Sequence, residues 1–412
     1  MSDQANPNTN NNGNGRRKKL VGGVLAIFLL AGIGYGAWYL LVGSHREFTD
    51  NAYVDGNIVQ ITPQVPGTII AIGADNTDTV KAGQLLVQLD PADAQVALEE
   101  AEAQLAKTVR QVRNLFATSS QLQANVQQRE TEVTRAKQDL ERRERLSATG
   151  AVSGEEMNHA RDALAAAEAA LTAAREQASA GRALVDQTTI ENHPDVRNAA
   201  AKVREAYLAL SRTRVLAPVS GVVSKRSVQL GQRVNPGAPL MAVIPLEQVW
   251  VNANFKEAQL ANIRIGQPVK HTADLYGGKV EFDGKVVGLD AGTGSAFSLL
   301  PAQNATGNWI KIVQRVPVRV AIDGEQLHKN PLRIGLSMEA TVDISDRSGP
   351  VLATAPRQSP AYSTPVFDGD RSNADTMIRE IVRTNASGMI PSADHLAARN
   401  ARSADRPALA VR

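Results

Sequence analysis

The chain has 412 residues, only 4% of them aromatic, and a formal net charge of +3 with both signs mixed throughout. That length has room for two to four domains but no large aromatic-rich core, and no basic stripe with interleaved aromatics marks a nucleic-acid interface. The absence of cysteine excludes disulfides, thiolate metal sites and lipid attachment through an N-terminal Cys.

Residues 1–15 form an Asn-, Gly-, Ser- and Pro-rich polar run without periodicity, which predicts disorder. Arg16, Arg17, Lys18 and Lys19 then abut an uncharged apolar stretch, residues 20–42, long enough as a helix to cross about 30 Å of hydrocarbon. The basic cluster belongs on the cytoplasmic side, and Tyr35, Trp38 and Tyr39 crowd the far end, where amphipathic rings favour the membrane interface. The run is too long for a cleavable signal and lacks a small-residue cleavage site, so a single-pass anchor is expected, with the N-terminus cytoplasmic and the bulk of the chain outside the cytoplasm. Residues 43–60 read as a linker with a short lead-in strand near Phe48–Val54.

Residues 61–91 and 215–245 match at a constant offset of 154, pairing Val65 with Val219, Gly67 with Gly221, Ile69 with Val223, Val80 with Val234, Gly83 with Gly237, Leu86 with Leu240, Leu89 with Val243 and Pro91 with Pro245. Each copy alternates short β runs with Gly turns, and neither half alone can bury a core. Two such halves, 61–91 and 211–246, are expected to close together into a small flattened β-barrel.

Between them, residues 92–210 read as two long helices folded back on each other. Leu98, Leu105, Val112, Ser119, Val126, Val133 and Leu140 recur every seventh residue, and Met157, Leu164, Leu171, Ala178 and Val185 restart the period after a turn at Gly150. Ser119 breaks the first row, and it and Arg129 are either polar register devices or solvated positions. Alanine at many seam positions permits close helix approach, while Arg, Gln and Glu suit wet outer faces and lateral packing of several hairpins. The row shifts between Val185 and Val196 around His193-Pro194, which predicts a kink or break. Ser153 is placed to cap the second helix, with Glu156 at the capping-box position.

Residues 247–346 become strand-rich, with runs at 249–255, 269–273, 282–289, 309–320 and 336–344 and a short helix at 256–263, which argues a second β-barrel. Gly292-Thr293-Gly294-Ser295 is a Gly-rich rim loop rather than a phosphate loop, since no Gly-Lys-Ser/Thr follows it. Residues 347–412 are Ser-, Pro-, Ala- and Arg-rich with one amphipathic patch, Met377–Val382, and are expected to be mostly disordered. The six histidines show no i, i+4 pair and no acidic partner at ligand spacing, so no metal is expected. No catalytic motif stands out. The chain reads as no enzyme, with no cofactor.

The paired β halves resemble the lipoyl or biotinyl carrier fold, but no lysine occupies the place of the modified one and the connecting hairpin is replaced by the helical arm. A lipoyl unit split by a helical hairpin resembles the periplasmic adaptors, or membrane fusion proteins. Residues 252–257, 264–269 and the run from Gly292 to Trp309 resemble the EmrA-type multidrug-efflux adaptors within that family, and the resemblance covers about residues 16–346. It implies an elongated, mixed α and β multidomain protein: a transmembrane helix, a coiled-coil hairpin inserted into a lipoyl-like domain, and a β-barrel. It further implies an inner-membrane, periplasm-facing adaptor of a Gram-negative bacterium, bridging a proton-driven exporter of the major facilitator type to an outer-membrane channel of the TolC type. Self-association into a ring of three or six copies is expected. A type I secretion adaptor working with an ATP-driven exporter shares the architecture and remains the alternative, as does, more remotely, a carrier-domain enzyme subunit. Arg142, Leu146 and Ser153 match the spacing of the tip motif by which such adaptors meet the channel, with Gly150 and Val152 shaping the tip; the alternative is that Ser153 only caps and Arg142 only solvates. Phe297, Leu299 and Leu300 form an apolar loop that can contact the exporter or drug, although ordinary barrel core accounts as well for Leu300 and Trp309.

Overall fold

The computed structural model describes residues 14–41, 45–148, 150–297, 313–352 and 356–387. Helix α1, Asn14–Leu41, is long and apolar enough to cross a membrane over Lys19–Gly36.

Strand β1, Arg46–Asp55, follows it and contains the lead-in strand expected at 48–54, but it is more than a lead-in. It is a full stave of a closed six-stranded barrel, between β10 (Trp250–Lys256) and β14 (Ser337–Asp343), with β11 (Pro268–Ala273), β12 (Glu281–Leu289) and β13 (Arg315–Ile322) completing the order β1-β10-β13-β12-β11-β14. The barrel unit is therefore built from both sides of the hairpin, and strand 1 closes it because Ala52 and Val54 complete the core formed by Val251, Phe255, Phe282, Val320 and Met338. The short helix expected at 256–263 is a single 3-10 turn, Gln259–Asn262, because Lys256 still pairs with Arg315 as the last residue of β10. A short helix, α5 (Gly324–Lys329), covers the core through Leu327.

The repeat emerges as an approximate twofold relation. Strands β2 (Val59–Ile61), β9 (Met241–Ile244), β7 (Gly221–Ser224) and β4 (Thr79–Val80) form one sheet, and β6 (Arg214–Leu216), β5 (Leu85–Leu89), β3 (Gly67–Ile72) and β8 (Arg233–Val234) the other. The register obeys the same offset: Gly67 pairs with Val234 and Thr68 with Arg233, while Gly221 pairs with Val80 and Val222 with Thr79. Both sheets share one core that includes Ile69, Leu86, Leu89, Val223, Leu240 and Val243. The expected flattened barrel is thus two four-stranded sheets and not a closed ladder, because two-residue strands such as β4 and β8 end each sheet without bridging to the other.

From β5 the chain passes at once into α2, Ala92–Ser147, whose 56 residues span about 84 Å at helical rise. Helix α3, Gly154–Ala183, returns along it, the chain breaks over 184–193, and α4, Pro194–Ser211, completes the return. The break at His193-Pro194 has the physical form the sequence predicts: His193 is buried, its Nδ1 accepts from the Asp195 amide at 3.3 Å, and Pro194 occupies the first helical position where no amide donor is needed.

Part of the C-terminal segment expected to be mostly disordered is helical. Helix α6, Asp368–Ala386, packs along α2 and α4, burying Ala374 and setting Ile378 and Val382 among Leu105, Val109, Val112, Val196 and Val203. The amphipathic patch seen at Met377–Val382 is the middle of a longer stripe, and it is stable because the root of the arm offers an apolar groove to receive it.

Candidate functional site

The far end of the arm is made by the last turn of α2 and the first of α3. Gly150 adopts a φ of +75°, in the left-handed region, and its amide bonds the Ser147 carbonyl at 3.0 Å while Ala151 bonds that of Leu146 at 3.3 Å. Ser153 caps α3 through a complete capping box: its hydroxyl accepts from the Glu156 amide at 3.2 Å, and its own amide donates to Glu156 Oε2 at 3.0 Å. The Ser153 amide first, and then its hydroxyl, which also donates to Glu156 Oε2 at 3.1 Å, hold the Glu156 carboxyl below the usual range.

The tip therefore brings Leu146, Gly150, Val152 and Ser153 to one end of the arm, with Arg142 one turn below Leu146 on α2. Leu146 is 45% exposed, a large apolar side chain at an end otherwise lined with Arg142, Arg143, Arg145, Glu141 and Glu144. Val152 is half-buried. Arg142 is exposed and ion-paired with Asp139, whose other oxygen accepts from Arg143 Nε at 2.8 Å; the Arg143 bond comes first among the causes that hold the Asp139 carboxyl low. Gly154 opens α3 with empty space around it among the described residues, none of which demands its lack of a side chain.

A second candidate surface lies on the barrel. The rim formed by the end of β12 and the start of β13 is the one from which β1 enters, as the bond from Gln259 Nε2 to Glu47 Oε2 (3.0 Å) and the pairing of Arg46 with Asp343 place Arg46 and Glu47 there. This is the end of the barrel that the chain reaches directly from α1. The Gly-rich loop folds onto that rim, Gly294 bonding the Arg315 carbonyl and Ser295 donating to Gln314 Oε1 at 2.6 Å. Phe297 projects from it, 66% exposed, its ring resting against Gly292, where an added Cβ would push the ring aside. Beside the loop, Leu260, Leu289, Val316, Val351 and Leu352 line a shallow groove of about 490 Å³. Leu299, Leu300 and Trp309 lie outside the described residues.

In α1, Arg16, Arg17 and Lys18 lie in the first turns, Lys19 follows them, and Trp38 and Tyr39 lie near its end; Tyr35 is exposed. Among the described residues no group of three or more metal-ligating side chains occurs. Two histidines do have acidic neighbours that the sequence reading passed over, Glu155 at 3.8 Å from His159 and Asp195 at 3.6 Å from His193, but among the described residues no third ligand joins either pair.

The sequence reading picked out only the middle of the C-terminal helix, Met377–Val382, and not its length or its packing. Its signal was present in Ala374, Ile378 and Val382, spaced by four, with Asp368 and Asp370 in the first turn.

Comparison with known proteins agrees with these parts. Residues 92–213 match the family described as EMRA, alpha-helical hairpin domain. The chain is 48% identical over 372 residues to the multidrug export protein EmrA of Escherichia coli K12, covering 90% of this chain and 95% of that one. It is 46% identical over 373 residues to the fatty acid resistance protein FarA of Neisseria gonorrhoeae, covering 90% and 93%. A solved structure of the periplasmic adaptor protein EmrA covers 73% of this chain and 99% of its own at 18% identity and a TM-score of 0.36, too low to carry an argument beside the sequence relationship.

Proposed function

Because this chain belongs to the EmrA family of multidrug-export membrane fusion proteins, we propose that it bridges an inner-membrane exporter of the major facilitator type to an outer-membrane channel of the TolC type. It acts as a coupling subunit and not as an enzyme. The observation that carries this reading is the order of parts: a membrane-spanning helix feeds one rim of the barrel, the two-sheet unit follows the barrel, and an arm of about 84 Å ends in a capped turn.

In this arrangement the rim bearing Phe297 faces the exporter and Leu146, Gly150, Val152, Ser153 and Arg142 face the channel, with several copies side by side in a ring sealing the path between. Leu146 supplies apolar contact and Arg142 charge. Gly154 leaves room for backbone approach. The cargo is a drug or fatty-acid-like toxic molecule, by analogy with the multidrug export and fatty acid resistance for which the relatives are named.

The test is photo-crosslinking in intact cells from Leu146 and, separately, from Phe297. Capture of an outer-membrane channel from Leu146 and a major-facilitator exporter from Phe297 is the expected result. An ATP-driven exporter captured from Phe297 would move the protein to type I secretion. Capture of other copies alone from Leu146 would make the tip an oligomerisation surface.

A further inference from the structure

The arm is rooted in the two-sheet unit at two places only, where β5 runs into α2 across Pro91 and where α4 runs into β6 across Arg212 and Thr213. Two attachments define an axis, and a rigid body held at two points keeps one rotation, about the line joining them. The C-terminal segment adds further attachments. After Ile265 and Pro350 bond backbone to backbone at the barrel (3.0 Å), the chain crosses the barrel face at Tyr362, whose hydroxyl Asn57 and Arg319 hold below the usual phenol range. It touches the two-sheet unit at Thr364, whose hydroxyl donates to the Pro218 carbonyl at 2.8 Å. It then climbs the arm: Ser211 donates to Asp370 at 3.1 Å, and Arg204 gives Nε and Nη2 to one oxygen of Asp375 at 2.9 and 2.5 Å. Further up, Arg110 and Arg113 of α2 bond the side chain and carbonyl of Asn385.

We propose that residues 356–386 are an intramolecular strap that fixes the direction of the helical arm relative to the barrel. The strap makes the root of the arm a three-helix bundle, and near the end of α6 Asn385 meets Arg110 and Arg113 of α2. Its buried stripe supplies the hold and its polar contacts set the register, Asp375 against Arg204 fixing how far along α4 the helix sits. The strap's effect on channel docking rests on the bridging role proposed above; its effect on arm direction does not.

The native chain has no cysteine, so Lys107→Cys on α2 and Lys285→Cys on β12, both exposed, give clean sites for a pair of spin labels. Pulsed electron resonance on the full chain with its strap intact is expected to give one narrow distance distribution. Ile378→Asp with Val382→Asp should at least double its width while amide exchange in the barrel strands stays within twofold. Arg204→Asp alone should also broaden it, and adding Asp375→Arg should restore the narrow distribution, an outcome that a merely unfolded variant cannot give. An unchanged width in both sets overturns the strap. A doubled width with undiminished capture of the channel from Leu146 overturns its part in docking while leaving the bridging role in place.

Discussion

The barrel and the arm are built on opposite plans. The barrel closes its hydrogen-bond ladder on itself and buries Phe255, Phe282, Met338 and Ile344 almost completely, so each strand has two neighbours and one dense core. The distal arm has a seam and little else: beyond Val112, the buried residues of α2 are reduced to Val126, which meets Leu171 and Ala174 across a narrow contact. Its length follows from local helical order, and its outer faces remain wet and open to neighbours. A station that must hold its shape and a reach that must meet partners therefore call for different packing.

The largest effect should come from the barrel. Phe282→Ala removes a fully buried ring and should cost about 4 kcal/mol, read as lost amide protection throughout β11, β12 and β13 with the distal arm unaffected. Equal loss of protection in α3 would erase the contrast between the two regions.

Acid should separate them next. His271 is buried in the barrel, neither ring nitrogen makes a sound hydrogen bond, and burial holds its pKa down to about 4 against a weaker upward pull from the Glu339 backbone. The folded pKa lies below the unfolded value, so the unfolded chain takes the proton more readily between them. The barrel is then fully stable above about pH 6.5 and loses about 3 kcal/mol as the pH falls to about 4. His271→Leu should flatten that slope in exchange measurements made at pH 4.5 and 7.5; an unaltered slope would assign the acid sensitivity to other groups.

Ser153→Ala is smaller. Losing the capping box should cost about 1 kcal/mol, confined to fraying of the first turns of α3, while Ser153→Asp, which keeps an acceptor, should hold the helix. If Ser153→Asp keeps α3 protected yet lowers capture from Leu146, the hydroxyl contributes to docking beyond its cap. The smallest effect belongs to Arg175 and Glu130, a 2.8 Å pair across α2 and α3 with both side chains about half exposed. A double-mutant cycle to Gln should give less than about 1 kcal/mol of coupling, and more would mean that surface charge, not the seam, joins the distal helices.

Much of this protein was legible in its sequence because the signals were local. The uncharged run of α1, the seven-residue row from Leu98 to Leu140, the break at His193-Pro194 and the capping box at Ser153 all depend on residues within a few turns of one another. The offset repeat is also a sequence property, and the paired registers of β3 with β8 and β4 with β7 carry it into three dimensions. The tip residues could be placed at the arm's end from the turn alone, although what they touch is a matter for the crosslinks. What local pattern could not decide was partnership at long range. Strand β1 alternates like any lead-in, and only pairing with strands some 200 and 290 residues away makes it a barrel stave. Likewise α6 carries a modest stripe in a polar stretch whose helical stability comes mostly from packing that stripe, and the groove between α2 and α4 that receives it exists only after the arm has folded. Periodicity determined which faces are apolar; the tertiary structure decided what covers them, because burial is a property of two surfaces and the sequence displays each of them alone.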